Sequence, residues 1–293
     1  MTKNSPQPKA SIVILDFQKS RRVCENVASI RRQKVDFDYE IIIVDNSCNT
    51  DNAKKLDTLR GLPNVRVISN THNVGYIRGN NQGAALARGE YLLIVNPDII
   101  WQDTLTLQKL VDLLESRPEI GICGPRQIND SDGRVAMTVR AFPNIFLQVA
   151  RRTFFRDWPL IKKWVAYDEM RHLDYDQAQQ VDWLQSSFWI MRKSLWNKLG
   201  GLDKSYFVFM SDPEMCWQCW QAGHEVFYYP GVSVHADGRR ASEGGFLAFF
   251  QKWTMRQHVK DALIYQIKHL FRRNPRKRFS DTRKRSVPKR GHC

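Results

Sequence analysis

The 293-residue sequence has no apolar run approaching the roughly 18–20 residues needed to span a bilayer. Its opening stretch, MTKNSPQPK, lacks the apolar centre of a secretory leader, and a cytoplasmic protein is the expectation. Cysteine is sparse. Six residues (Cys24, Cys48, Cys123, Cys216, Cys219 and Cys293) are scattered along the chain, and the one C-x-x-C, CWQC, has no second pair to complete a zinc site. Reduced thiols are expected rather than a disulfide framework. Two glycine motifs are also missing: no G-x-G-x-x-G follows the first strand, and no G-x-x-x-x-G-K-[ST] occurs. Their absence excludes the usual dinucleotide-binding fold and the P-loop enzymes. Acidic residues are missing from one end. From Lys268 to Arg290 there are eleven Lys or Arg and one acid, Asp281, so this stretch carries ten of the formal net +15. No nucleic-acid-binding motif accompanies it, and a nucleic-acid partner is not expected.

The sequence does contain a repeated alternation. SIVILDF (11–17) reads as a buried strand ending at Asp16, followed by a helical stretch over 20–33. DYEIIIVDNSCNTDN holds a second apolar strand that again ends on a carboxylate, Asp45. VRVISN (65–70) gives a third strand, NVGYIRGNNQGAALARG becomes a helix, and YLLIV gives a fourth strand. That strand runs into Asn96-Pro97-Asp98, where Pro97 cannot donate to a sheet ladder. Strands alternating with helices imply an α/β fold with a parallel sheet. In such sheets a ligand lies beyond the carboxyl ends of the strands, where Asp16, Asp45 and Asp98 all fall. One acid there is ordinary turn or cap chemistry, whereas three at equivalent strand ends point to a site.

Further on, VDWLQSSFWIMRKSLWNKLGGLD (181–203) predicts a strand and a short helix ending at Gly200-Gly201. SYFVFMSDPEMCWQCWQAGHEVFYYPGVSVHADGRRAS adds a second acidic cluster, a helix closed by Gly223, a strand and His235. Helical periodicity resumes over 246–271 and leads into the basic tail.

These segments resemble the inverting family-2 glycosyltransferases of the GT-A fold, in the order found in that family and across most of residues 11–245. The N-P-D triplet, VRAFP, VDW, GLD-x-x-YF and the basic, aromatic C-terminal helix look most like bacterial rhamnosyltransferases acting on lipid-linked N-acetylglucosamine. The resemblance implies a Rossmann-like, mostly parallel sheet flanked by helices over residues 10–245, and a membrane-associating extension over 246–293. It implies transfer of L-rhamnose from dTDP-L-rhamnose to a polyprenyl-diphosphate-linked GlcNAc, for O antigen or a cell-wall linker, at the cytoplasmic face of the membrane. A UDP-hexose donor on the same fold, and a non-catalytic sugar-nucleotide or membrane-binding protein, remain as alternatives.

Residue by residue, the family's Asp-x-Asp stands here as Asn96-Pro97-Asp98, which carries contact with Mg²⁺ or Mn²⁺ over to Asp98 and leaves Asn96 a neutral contact with the nucleotide sugar. Asp45 matches the acid that reads the nucleotide base, with Asn46 and Asp51 beside it, and Asp16 lies at the first strand end. FMSDPEMC aligns Asp212 with the catalytic base, although Ser211 replaces a Glu and Glu214 an Asp. Glu214 and Trp183 are candidates for acceptor or sugar contact. His235 matches a histidine near the metal, and Arg239 or Arg240 is a candidate partner of the diphosphate. The basic tail suits an anionic membrane surface.

Overall fold

The computed structural model describes residues 7–144, 147, 158–238 and 253–277. Four strands, β1 (Ala10–Asp16), β2 (Tyr39–Asp45), β3 (Val65–Ser69) and β4 (Tyr91–Val95), form the parallel half of a nine-stranded sheet. Helices α1 (Ser20–Ile30), α2 (Thr50–Asp57) and α3 (Tyr76–Leu86) connect them. β1 is buried throughout and β2 all but its first residue, as their unbroken apolar runs require. Alternate residues feed opposite layers: Ile12, Ile14, Ile41 and Ile43 enter one core, Val13, Leu15, Ile42 and Val44 the other. α3 lies close on the second face because Gly79 and Gly83 leave room, since a Cβ on Gly83 would come within 2.4 Å of Val13 Cγ1.

The other half of the sheet is mixed, within the mostly parallel sheet flanked by helices that the sequence implies. After β5 (Ile100–Trp101), α4 (Thr106–Ser116), β6 (Ile120–Asn129) and β7 (Val139–Arg140) come α5 (Pro159–Asp168), β8 (Gln179–Gln180) and β9 (Trp183–Leu184). The last elements are β10 (Phe188–Arg192), α6 (Lys193–Leu199), α7 (Ser211–Gln221), β11 (Glu225–Ala236) and α8 (Trp253–His269). The order across the sheet is β3-β2-β1-β4-β10-β6-β11-β5, with β8 also pairing with β11. β10 runs antiparallel to both β4 and β6, whereas β11 is parallel to β6 and antiparallel to β5. β7 and β9 form a separate two-stranded ribbon.

The described part of the C-terminal segment is fastened to this domain. Tyr265 of α8 is fully buried, and the buried Asp261 carboxylate accepts from the backbone N–H groups of Phe207, Val208 and Phe209 at 2.9–3.4 Å. Lys268 pairs with Asp203, and Arg276 donates to Asp182 at 2.9 Å. The remainder of the basic tail, from residue 278, lies outside the described residues.

Candidate active site

The carboxyl ends of β1, β2 and β4 share one edge, so the candidate residues are placed by strand register. Asp16 and Asp45 are direct partners across the parallel β1–β2 pair. Both are buried, and the Asn52 side-chain amide donates to each, to Asp16 Oδ2 and to Asp45 Oδ1. Asp16 also accepts from the Lys19 backbone N–H at 2.9 Å and the Ser47 hydroxyl at 3.2 Å. Burial pushes the Asp16 carboxyl above the ordinary carboxylate range, and these hydrogen bonds offset part of the rise. Asp16 thus ties the end of β1 to the start of α1 and to the turn after β2. Asp45 takes its described hydrogen bonds, from Asn52 and from Ser47 N–H at 3.0 Å, on Oδ1. Asn46 accepts from Val74 N–H at 2.9 Å and donates to Asn73 at 2.6 Å, tying β2 to the loop that starts α3. Asp51 is an exposed residue in the first turn of α2.

Asn96 follows β4, and its backbone bonds to Ser187 and Asn26 hold the turn that carries Asp98. Asp98 is buried. The antiparallel register of β5 against β11 pairs Ile100 with His235, and its continuation brings Asp98 opposite Asp237. The Lys19 ammonium lies between the two carboxylates, 3.4 Å from Asp98 and 3.1 Å from Asp237. Burial raises the Asp98 carboxyl first; Lys19 opposes the rise, and the Asp237 carboxylate adds to it. Two converging oxygen donors with a cation already between them fit a hard divalent ion, which needs only one or two protein carboxylates when substrate phosphates complete its shell. No group of three or more His, Cys, Asp or Glu gathers as a metal cage among the described residues.

Sequence reasoning reached His235 and missed Asp237, two residues on along the same strand direction. The structure gives His235 a different neighbour: its Nδ1 lies 3.1 Å from Asp130, whose other oxygen takes Arg22. The signal for Asp237 was present in HADG, but only the β5–β11 register shows which acid faces Asp98. Arg239 and Arg240 lie outside the described residues. Next to Asp237 opens a cleft of about 820 Å³ lined by Gln18, Lys19, Arg21, Arg22, Lys55 and Asp130, among others.

Asp212 occupies the first turn of α7. The residue before that helix, Met210, adopts φ 64°, a left-handed conformation unusual for a non-glycine residue, and so turns the chain sharply into the helix. The Asp212 carboxylate accepts from Ser186 N–H at 3.1 Å, the Ser186 hydroxyl at 2.7 Å and the Ser211 hydroxyl at 3.2 Å. Tyr76 Oη lies 2.8 Å from the Ser186 hydroxyl. Burial raises the Asp212 carboxyl above its ordinary value, while the serine bonds pull it back in part. A desolvated, aimed carboxylate of this kind is suited to taking a proton. Ser186 and Tyr76 are functional neighbours that the sequence alone did not single out, because nothing local marks them.

Glu214, two residues further on in the same turn and so on another face of α7, is placed otherwise. Its carboxylate is buried and accepts from Tyr206 Oη at 3.0 Å and Gln218 Nε2 at 3.0 Å, with His269 Nε2 at 2.9 Å. These contacts turn it toward α8 and make it a strut rather than an acceptor contact. Burial would raise its carboxyl, yet His269, Gln218 and Tyr206 together hold it below the ordinary value. Its stabilising contribution is therefore present above the ordinary carboxylate pKa and is lost as pH falls through the lowered value. Glu214→Ala is expected to cost about 2–3 kcal/mol in urea unfolding at neutral pH, by leaving buried groups without partners, with the KM for donor unchanged. Trp183 in β9 is half-buried and donates from its indole to Ala141 O at 2.7 Å, which fixes the ring beside the β7–β9 ribbon. Cys216 and Cys219 are buried free thiols on α7, raised by burial, and act as packing groups.

Comparison with known proteins gives the family and the fold. A sequence model described as "Glycosyl transferase family 2" matches residues 11–199, more than half of the chain. The N-acetylglucosaminyl-diphospho-decaprenol L-rhamnosyltransferase of Mycobacterium tuberculosis is 28% identical over 215 residues, 68% of each chain. Rhamnosyltransferase WbbL of Escherichia coli is 26% identical over 185 residues, 61% of this chain and 62% of its own. Among solved structures, mannosyltransferase PcManGT of Pyrobaculum calidifontis, in complex with GDP-Man and Mn²⁺, superposes with a TM-score of 0.60 at 15% identity, over 95% of this chain and 70% of its own. TarS of S. aureus with UDP-GlcNAc gives 0.54 at 16% identity, over 82% of this chain and 60% of its own.

Proposed function

Because the chain belongs to glycosyl transferase family 2 and is a glycosyltransferase, we propose that it transfers L-rhamnose from dTDP-L-rhamnose to a polyprenyl-diphosphate-linked GlcNAc, with inversion. The observation that carries the mechanism is the half-buried Asp212 carboxylate, held by Ser186 and Ser211 at the head of α7. The choice of donor and acceptor is supported by the likeness to the mycobacterial and E. coli rhamnosyltransferases.

In this reading the acceptor hydroxyl sits against Asp212, which takes its proton as that oxygen attacks the anomeric carbon. Attack comes from the face opposite the diphosphate, so one displacement inverts the centre and releases dTDP. Asp45, whose Oδ2 lies opposite the Oδ1 engaged by Asn52 and Ser47, accepts from the base N–H, and Asn46 holds the loop beside it. Asp98 and Asp237 would hold Mg²⁺ or Mn²⁺, with Asn96 as a neutral neighbour. The ion, when bound, supplies positive charge to the diphosphate leaving group. Lys19, already between these carboxylates, gives a second positive charge on the same side. Arg239 and Trp183 keep the places the resemblance gives them, at the diphosphate and the sugar.

The protein acts as a peripheral enzyme on the cytoplasmic face of the membrane, in O antigen or cell-wall linker synthesis. No helix among the described residues is long and apolar enough to cross a membrane. Turnover of dTDP-L-rhamnose with a GlcNAc-diphosphate-lipid analogue tests the assignment, with competition by thymidine against uridine nucleotides. Rhamnose transfer inhibited by dTDP bears it out, whereas activity only with UDP-hexoses overturns the donor and leaves the base and fold in place.

A further inference from the structure

Two helices carry a stripe of apolar residues outward. On α5, Leu160, Lys163, Trp164 and Tyr167 fall at i, i+3, i+4 and i+7, the spacing of a single face, and all four are exposed while Val165 and Asp168 turn inward. Leu160 is 69% exposed. On α8 and the turn after it, Trp253, Arg256, Lys260, Leu263, Ile267 and Leu270 follow alternating steps of three and four, again all exposed. Ile267 is 74% and Phe271 96% exposed, and Arg272 and Arg273 come next. Neither face has an exposed acid: Asp168 and Asp261, the acids within these helices, are both buried. A soluble domain normally buries such stripes.

Both helices also lean on one short segment. Asp168 O, at the end of α5, accepts from Ala141 N–H at 3.0 Å; Gln266 of α8 donates to Pro143 O at 3.0 Å; and the Phe142 ring packs on Trp217, which packs on His269. Both stripe-bearing helices are thus anchored on the same segment, residues 141–143.

We infer that the outward faces of α5 and α8 form a single docking surface for an anionic lipid bilayer, on which both helices lie flat. Aromatic and aliphatic side chains mixed with lysine and arginine are the composition of interfacial helices, and neither helix is built to span. The charge argues against a second copy of the chain. A two-fold contact would set Lys163, Arg256 and Lys260 against their own kind, with no acid to compensate. The inference deepens the peripheral-membrane part of the proposed function by adding α5, which lies far in sequence from the basic tail. It also gives the docking a route to the site, because Asp261 of α8 holds the backbone of residues 207–209, immediately before Met210 and Asp212.

The test is sedimentation of the full chain with phosphatidylglycerol-containing vesicles and with pure phosphatidylcholine vesicles, without donor or acceptor. Wild type is expected to partition to the anionic vesicles, less so at high salt. The pairs Leu160→Ser/Trp164→Ser and Ile267→Ser/Phe271→Ser are each expected to weaken partitioning about tenfold or more, with circular dichroism unchanged because the sites are exposed. Lys163→Glu/Lys260→Glu is expected to remove the preference for anionic lipid. Binding that is unaltered in the Leu160/Trp164 pair would overturn the inference and leave the tail alone as anchor. So would a concentration-dependent dimer lost in the same pairs, or the absence of vesicle binding. A variant-sensitive, vesicle-bound protein that is silent with every donor would instead sink the donor assignment and leave this surface standing.

Discussion

Asp212→Asn is expected to lower kcat about 10²–10⁴-fold, the usual contribution of a positioned general base, while donor KM stays near the wild-type value. The amide keeps the volume and can still meet Ser186 and Ser211, so loss of the proton acceptor is isolated from loss of shape. The pH profile carries a second, independent expectation. Burial raises the Asp212 carboxyl, and a base works only when deprotonated, so activity falls as pH drops through a value above the ordinary carboxylate range. Ser186→Ala removes a hydrogen bond that favours the charged form, and its acid limb is expected to move higher still. Stability runs the other way. With a raised pKa the folded state binds more protons than the unfolded chain, so Asp212 makes folding less favourable as pH rises from the ordinary value through the raised one. Asp212→Asn is therefore expected to melt no lower than wild type at neutral pH, and a marked drop in Tm would show the residue to be structural. Full activity in this variant would remove it as the base.

The second large effect concerns the pair at the β5–β11 edge. Asp98→Asn and Asp237→Asn are each expected to lower kcat/KM at least about a hundredfold, as loss of a charged group stabilising a leaving group does. They are also expected to abolish the rise in Tm that the proposed function predicts for the wild type with Mn²⁺ or Mg²⁺ and dTDP. That rise corresponds to about 2.7 kcal/mol when the ion stands at a hundred times its Kd. His235→Ala separates the readings of this edge. Since its imidazole faces Asp130, the variant is expected to retain the metal-dependent shift. If His235→Ala loses the shift and Asp237→Asn keeps it, the assignment reverses.

The parallel half of the sheet was legible because its signals are local. Three unbroken apolar runs end on or beside polar residues, as strands covered on both faces do, and the shorter VRVIS adds a fourth, less buried strand. Asp16 and Asp45 were singled out for the same reason, being the first polar residues after their runs, and Asp98 as the first acid after the fourth run, behind Asn96 and Pro97. Asp212 came from a motif resemblance, and Ser186, which holds it, had no signal, because the two meet only when β10 and α7 are both in place. β10 itself was legible as a strand but not as an antiparallel insertion between β4 and β6. Pairing direction depends on partners distant in the chain, and no residue of FWIMR encodes it.

The sequence by itself determined the chemistry available: carboxylates at strand ends, a helix opening on Ser-Asp-Pro-Glu, and cationic charge gathered at one end. Apolar periodicity and turn residues act over a few positions, and a single strand or helix suffices to express them. Only the tertiary structure decided which of those groups work together. It set Asp237 rather than His235 opposite Asp98, turned Glu214 toward His269, and packed Asp261 of the C-terminal helix beneath the loop leading to Asp212. Each of those choices depends on register or on packing between segments tens to hundreds of residues apart, where the free energy of burial and pairing exists only once both partners are folded.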